Sequence, residues 1–474
     1  MRSAHTDTGR GRRPVWPLLA ALAVTLLPIV PRGVGPRRLE SATGPAEVKK
    51  TGRAAVKENV ARVKKLLTAD YERLEKLYKH LHANPELSLQ EAKTSARLAR
   101  ELRDAGFAVT EKVGGYGVVG VFRNGKGPTV LVRTDMDALP VVEKTGLPYA
   151  SKVRTRDKHD REVGVMHACG HDLHMACWVG TARVLAALKE RWRGTLVFIG
   201  QPAEEIGQGA KRMLADGLFK NFPRPDYCLA LHCDSSRPHG TVGYTEGPAL
   251  ANVDSVDIVV RGKGGHGAHP HTTVDPVVLA ARIILDLQTL VSRETNPTDP
   301  AVVTVGSIHG GTKHNIIPDE VKLQLTVRST TDKVRKHLLE GIKRIAEAAA
   351  RGANAPPPTV THDPAEFTPA LSNDIPLTRK TVALFKEVLG EDNVRERPQV
   401  MGGEDFSRYG QGHRIPLFLY YIGTVPPERV VEASRPGAKP LPSLHSDQFY
   451  PVVEPTLKTG VLTMSMAALN LLGD

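Results

Sequence analysis

His167-Ala168-Cys169-Gly170-His171 places a thiol and an imidazole two positions apart, directly ahead of Asp172 and His174. A deprotonated Cys and a neutral His are ligands that Zn²⁺ and similar borderline divalent ions accept, and two this close can reach one ion from a single turn. Read alone, the cluster fits a buried structural cysteine flanked by solvated histidines equally well. Three short apolar runs change the balance, because each ends in metal-binding residue types. Residues 129–133 run into Asp135 and Asp137, residues 195–199 into Glu204 and Glu205, and residues 227–231 into His232. Runs of this kind form buried strands, and open α/β sheets bind ligands at the carboxyl ends of their strands. Acids and a histidine arriving there repeatedly describe one convergent site.

The elements that position these residues follow from periodicity. Leu74, Leu77, Tyr78 and Leu81 predict a helix over 71–81, and residues 89–105 predict a second. Short strands and helices then alternate to about residue 250, which predicts a three-layer α/β domain. Residues 251–365 read differently: a strand at 255–261, a helix at 275–293, strands at 302–307 and 321–328, a helix at 332–350 and a strand near 359–362. That order is ferredoxin-like. Metal-type residues resume at Glu404 and His445, so the unit reads as an insertion, with the catalytic domain split into 61–250 and 366–474.

At 474 residues the chain predicts two folded units plus an appendage. The net charge is +13, but residues 1–65 hold 14 Lys and Arg against 4 Asp and Glu, so the body is nearly neutral. No basic stripe interleaved with aromatics appears, which argues against a nucleic-acid partner. Arg10, Arg12 and Arg13 precede an apolar run from Val15 to Val30 that is broken by Pro17 and Pro28. Residues 1–60 therefore read as a signal peptide or an N-terminal anchor plus linker, since a spanning helix needs about 20 apolar residues. The expectation is an exported protein, periplasmic or secreted, or one that touches the membrane only through this leader. Of the four cysteines, Cys169 suits a metal, Cys177 a helix face, and Cys228 and Cys233 ordinary packing.

The chain resembles the amidohydrolase branch of the M20 metallopeptidases, which holds hippurate, N-acyl-amino-acid and auxin-conjugate hydrolases. The similarity covers about residues 70–465 and rests on His82 to Ser88, Arg133 to Pro140, His167 to Asp172, Gln201 to Glu205, Gly264 to His266, Asn315 to Asp319, Met401 to Phe406 and Leu444 to Ser446. It implies a three-layer α/β catalytic domain with an inserted ferredoxin-like dimerisation (lid) domain, a homodimer, and two divalent ions per chain, Zn or Mn with Co or Ni possible. The implied activity is hydrolysis of N-acyl amino acids. A dipeptidase or carboxypeptidase of the same family, or an inactive binding protein on this fold, are the alternatives. Carried over residue by residue, Glu204 resembles the general base and Cys169 the bridging ligand. His171 and His232 resemble ligands of one ion, and Glu205 and His445 ligands of the other. Asp137 is expected to orient a ligand imidazole, with Asp172 and Glu404 in similar parts. The resemblance further implies that His266 stabilises an oxyanion while Asn315 and Arg328 hold the substrate carboxylate. One departure stands out: Asp447 follows His445-Ser446 where the branch usually has proline.

Overall fold

A computed structural model describes residues 50–473 apart from Ala365, so the leader up to residue 49 lies outside the described residues. In chain order the strands of the two main sheets are β1 (Ala108–Val113), β2 (Gly117–Asn124), β3 (Thr129–Asp135), β4 (Gly194–Gln201), β5 (Tyr227–Pro238), β6 (Val242–Tyr244), β7 (Asn252–Arg261), β8 (Ala301–Gly310), β9 (Glu320–Ser329), β10 (Thr359–His362), β11 (Val394–Glu396) and β12 (Leu417–Val425). The main helices are α1 (Lys50–Ala83), α2 (Ala92–Asp104), α3 (His171–Ala187), α4 (Pro276–Thr289), α5 (Asp332–Gly352), α6 (Ile375–Leu389) and α7 (Val453–Leu472).

The larger sheet has the order β1-β2-β4-β3-β5-β12-β6-β11. Its centre is parallel, with β3 between β4 and β5, and β5 against β12. Strands buried on both faces need apolar side chains at every position, and β4 meets this by sending Leu196 and Phe198 to one face and Val197 and Ile199 to the other. Helices α1, α2, α3, α6 and α7 cover the first face; the short helix Gly209–Ala215 and the turn Asp405–Tyr409 cover the second. This is the expected three-layer arrangement.

The second sheet has the order β8-β9-β7-β10, antiparallel throughout. Numbered within its own segment the order is second, third, first, fourth, which is the ferredoxin-like pattern. Helices α4 and α5 bury Leu279, Ile283, Leu338 and Ile342 against Ile258 and Leu323 of the sheet.

The N-terminus differs from expectation. Helix α1 begins at Lys50, not near residue 71, and so occupies positions assigned to the linker. Val63 and Leu67 are buried, and Val56 and Val60 pack against the same core. The apolar positions keep helical spacing, but the many charged residues between them mask the stripe. Among the described residues no helix is long and apolar enough to cross a membrane.

Candidate metal centre

The parallel strands deliver their carboxyl ends to one place. Asp135 ends β3, Gln201 ends β4 just before Glu204 and Glu205, and His232 lies on β5 opposite Tyr421 of β12. His171 opens α3, whose preceding Gly170 has φ +79°. A side chain there would be strained, and a Cβ would stand 2.9 Å from the Cys233 sulfur, so only glycine lets α3 start this close to β5.

Two groups of three ligand atoms share one thiol. Cys169, His171 and His232 form the first, and Cys169, Glu205 and His445 the second, with the atoms of each group within 4.8 Å of one another. Cys169 Sγ stands 3.5 Å from His232 Nε2, and Glu205 lies 3.7 Å from His171 Nε2 and 3.6 Å from His445 Nε2. A divalent pair fits this donor set on independent grounds. His171 Nε2 and Glu205 Oε1 are buried without a hydrogen-bond partner, an arrangement that costs about 1–3 kcal/mol per group unless something else binds there. Burial, reinforced by the Glu205 and Glu204 carboxylates, pushes the Cys169 thiol far up. Burial also lifts Glu205 to about 7, while Glu204 is raised by burial and by Glu404 and Glu205. A site that holds protons on this many ligand-type groups releases them on binding a cation.

The ligand imidazoles are oriented by main chain. His171 Nδ1 donates to the Asp137 carbonyl at 2.7 Å, and His232 Nδ1 donates to the Cys233 carbonyl at 2.8 Å, so both present Nε2 inward. The expected roles of the acids change accordingly. The Asp137 carboxylate accepts from the Glu204 and Glu205 amides, both at 3.0 Å, and from Ser88 Oγ at 2.6 Å. It fixes the turn that carries those glutamates, whose preceding Ala203 has φ +52°. Asp172 bonds His82 Nδ1 at 2.7 Å and touches neither ligand ring through its carboxylate hydrogen bonds. Glu404 pairs with the Arg133 guanidinium at 2.9 Å and lies in a carboxylate cluster with Glu204 and Asp405. An imidazole N–H needs only one acceptor, and the main-chain carbonyls of Asp137 and Cys233 supply it, which frees these carboxylates for other donors.

Several positioning residues escape the sequence reading. His174 donates through Nδ1 to Asp135 at 2.8 Å and accepts the Cys233 amide on Nε2 at 2.8 Å, so both ring nitrogens are committed. Glu91 accepts the Ala203 amide at 2.8 Å, and burial raises it to about 7. Arg133 is buried among Asp135, Glu404 and Asp405. A charged residue inside an apolar strand run was the available signal, because such a charge is buried only when paired. All four cysteines are buried and free. Asp447 pairs with Lys144 at 2.8 Å and belongs to neither ligand group.

A cleft of about 770 Å³ opens over the centre, lined by Cys169, Glu204, Glu205, His232, Arg328 and His445 among others. Another cleft, of about 780 Å³, lies near Thr331, Asn373 and Arg414, and none of the ligand-type groups lines it. Arg328 reaches the first cleft and donates to the Met401 carbonyl at 2.7 Å. His266 and Asn315 do not line it. They stand together, exposed, on the ribbon formed by Gly265–His266 and Ile316–Ile317 and the turn beside it.

This fold and these paired ligand groups define the class as an α/β protein with a candidate two-metal centre at the carboxyl ends of its strands. The model of peptidase family M20/M25/M40 matches residues 131–435. The chain is 36% identical over 363 residues to an N-acetylcysteine deacetylase of Bacillus subtilis, covering 75% of this chain and 89% of that protein. It is 36% identical over 394 residues to thermostable carboxypeptidase 2 of Saccharolobus solfataricus, covering 82% and 93%. A solved dinuclear metal-binding M20 peptidase from Bacillus subtilis aligns with a TM-score of 0.69 at 31% identity, over 85% of this chain and 99% of that one. The chain belongs to the M20 peptidase family.

Proposed function

We propose that the enzyme cleaves the amide bond of N-acyl amino acids, giving a carboxylic acid and a free amino acid, with two divalent ions, Zn or Mn, held by Cys169, His171, His232, Glu205 and His445. The observation that carries this reading is the pair of ligand groups sharing one thiol, with the Glu204 carboxylate within 4.8 Å of His171 and Glu205 ligand atoms. Bound there, the ions supply Lewis acidity toward a carbonyl and acidify water. Among the described residues the Glu204 carboxylate accepts no side-chain hydrogen bond, with His171 Nε2 3.9 Å away, which suits it to take a proton from water and hand it to the leaving amine. Arg328, with one Nη on Met401, keeps the rest of its fork for the substrate carboxylate.

His266 fits an oxyanion donor in tautomer as well as in type. Its Nδ1 accepts the Ala268 amide at 3.0 Å, which leaves the proton on Nε2. Because His266 and Asn315 stand outside the cleft of their own chain, the reading assigns them to the cleft of a partner subunit. An unpartnered apolar stripe on α4 supports a homodimer: Val278 is 67% and Leu285 71% exposed. The leader makes the protein exported or membrane-anchored in this reading. The likeness to a carboxypeptidase favours a second reading, release of a C-terminal residue from a short peptide at the same site.

Metal analysis of purified protein and a hydrolysis screen over N-acetyl, N-benzoyl and longer N-acyl amino acids, with dipeptides alongside, test the proposal. Two ions per chain and turnover of N-acyl amino acids are expected. Turnover of dipeptides alone would favour the second reading, and a metal-loaded protein without either activity would overturn both.

A further inference from the structure

The walls of the cleft carry more positive charge than one substrate carboxylate uses. Lys158, Arg212, Arg328 and Arg397 line it, while the acids lining it, apart from Glu366, belong to the carboxylate and ligand groups of the floor. Among the described residues Lys158, Arg212 and Arg328 form no ion pair; Arg212 donates to Gln208 and Arg328 to the Met401 carbonyl. Arg397 is the most constructed of the four. Its guanidinium carbon lies 3.6 Å over the Tyr421 ring, and that ring is 5.6 Å from the ring of His232. Its main chain is pinned on both sides, the amide donating to the Tyr244 carbonyl at 2.7 Å and the carbonyl accepting from Thr245 Oγ1 at 2.9 Å. Its one ionic neighbour is Asp234, whose Oδ2 stands 3.8 Å from the Arg397 Nε and closer, at 3.6 Å, to the Arg237 Nε, while its Oδ1 accepts from the Ser236 amide and hydroxyl. A flat, half-buried guanidinium held on an aromatic face with no carboxylate in hydrogen-bond range is preorganised to take one bidentately.

We propose that Arg397, backed by Tyr421, is a specificity residue that binds a second carboxylate of the substrate, so that the preferred substrates are N-acyl amino acids with a negative charge beyond the α-carboxylate. The inference rests on the amidohydrolase reading and narrows its substrate class. The second carboxylate has two possible sources, the side chain of an acidic amino acid or a dicarboxylic acyl group.

The test compares each acid with its neutral amide, using the metal-loaded full chain, Arg397→Gln and Arg397→Lys. One arm pairs N-acetylglutamate with N-acetylglutamine and N-acetylaspartate with N-acetylasparagine. The other pairs N-succinyl-leucine with its succinamoyl counterpart. The wild type is expected to favour the acid by about tenfold or more in kcat/KM in one arm, and that arm names the source. Arg397→Gln should bring the acid-to-amide ratio near one, and Arg397→Lys should retain part of it. A wild-type ratio near one in both arms overturns the proposal. So does an Arg397→Gln variant that loses acid and amide turnover in equal proportion, which marks Arg397 as structural support for Tyr421. If no N-acyl amino acid is hydrolysed, the amidohydrolase reading fails by itself, and calorimetric binding of the same pairs decides the arginine: tighter acid binding lost in Arg397→Gln supports it, and equal affinities overturn it.

Discussion

Replacing His82 with Gln tests how the floor beneath the centre is held. His82 is 1% exposed and bridges two carboxylates, with Nδ1 2.7 Å from Asp172 and Nε2 3.0 Å from Glu143. Burial alone would depress its pKa, but the hydrogen bonds to Asp172 and Glu143 lift it to about 10. A glutamine can donate to only one of the two acids and carries no charge. Removing one member of a buried charged set costs about 3–5 kcal/mol. The rise from 6.5 to about 10 corresponds to roughly 5 kcal/mol of preference for the protonated ring in the fold, so the two figures agree in size. The expected loss at pH 7 is therefore about 3–5 kcal/mol. The sign of the pH dependence follows from the raised pKa. Below about pH 6.5 the contribution is complete, and it is lost as pH rises toward 10, because the unfolded chain has released a proton that the folded chain keeps. Asp172 and Glu143 are lowered, so their share acts at the other end and is lost only in acid. Urea denaturation followed by circular dichroism at pH 7 and pH 9.5 measures both effects. A His82→Gln variant within about 1 kcal/mol of the wild type at pH 7, against the expected loss, would refute the reasoning, as would equal pH slopes for the two proteins.

Glu204→Gln should keep two ions per chain while kcat falls about 10²–10⁴-fold; near-normal turnover would remove Glu204 from the role of base. Cys169→Ser should lose metal, measured by elemental analysis, because a neutral hydroxyl is a far poorer ligand than a thiolate. Glu204→Gln and His266→Ala should each be inactive as homodimers, yet regain activity when co-refolded together; verified subunit exchange without activity would place His266 in its own chain or nowhere in the reaction. A chain starting at residue 61 rather than at residue 50 lacks the packing of Val56 and Val60 and should be less stable by about 1–3 kcal/mol in urea denaturation.

Glu204, Glu205 and His232 were legible because they follow short continuous apolar runs, which mark strands buried on both faces, whereas Cys169 and His171 were legible from their own spacing. The ferredoxin-like order was legible for a similar reason: the strands and helices of residues 252–362 each keep a clean period. Helix α1 was not, since its first turns pack only one narrow stripe while charged residues fill the rest. Arg397 gave no signal either, because in Arg395-Glu396-Arg397-Pro398 it reads as one of several solvated loop charges.

The chain by itself determined which side chains can bind a metal and roughly where along the fold each would arrive, since residue type and periodicity are local properties. Only the tertiary structure decided the partners: that Asp137 holds the Glu204–Glu205 turn through its carboxylate but His171 through its carbonyl, that Asp172 belongs to His82, and that Arg133 neutralises Glu404. Those assignments join residues up to 271 positions apart. They follow from which donor and acceptor are left unpaired once the sheets close, and no local pattern along the chain encodes that balance.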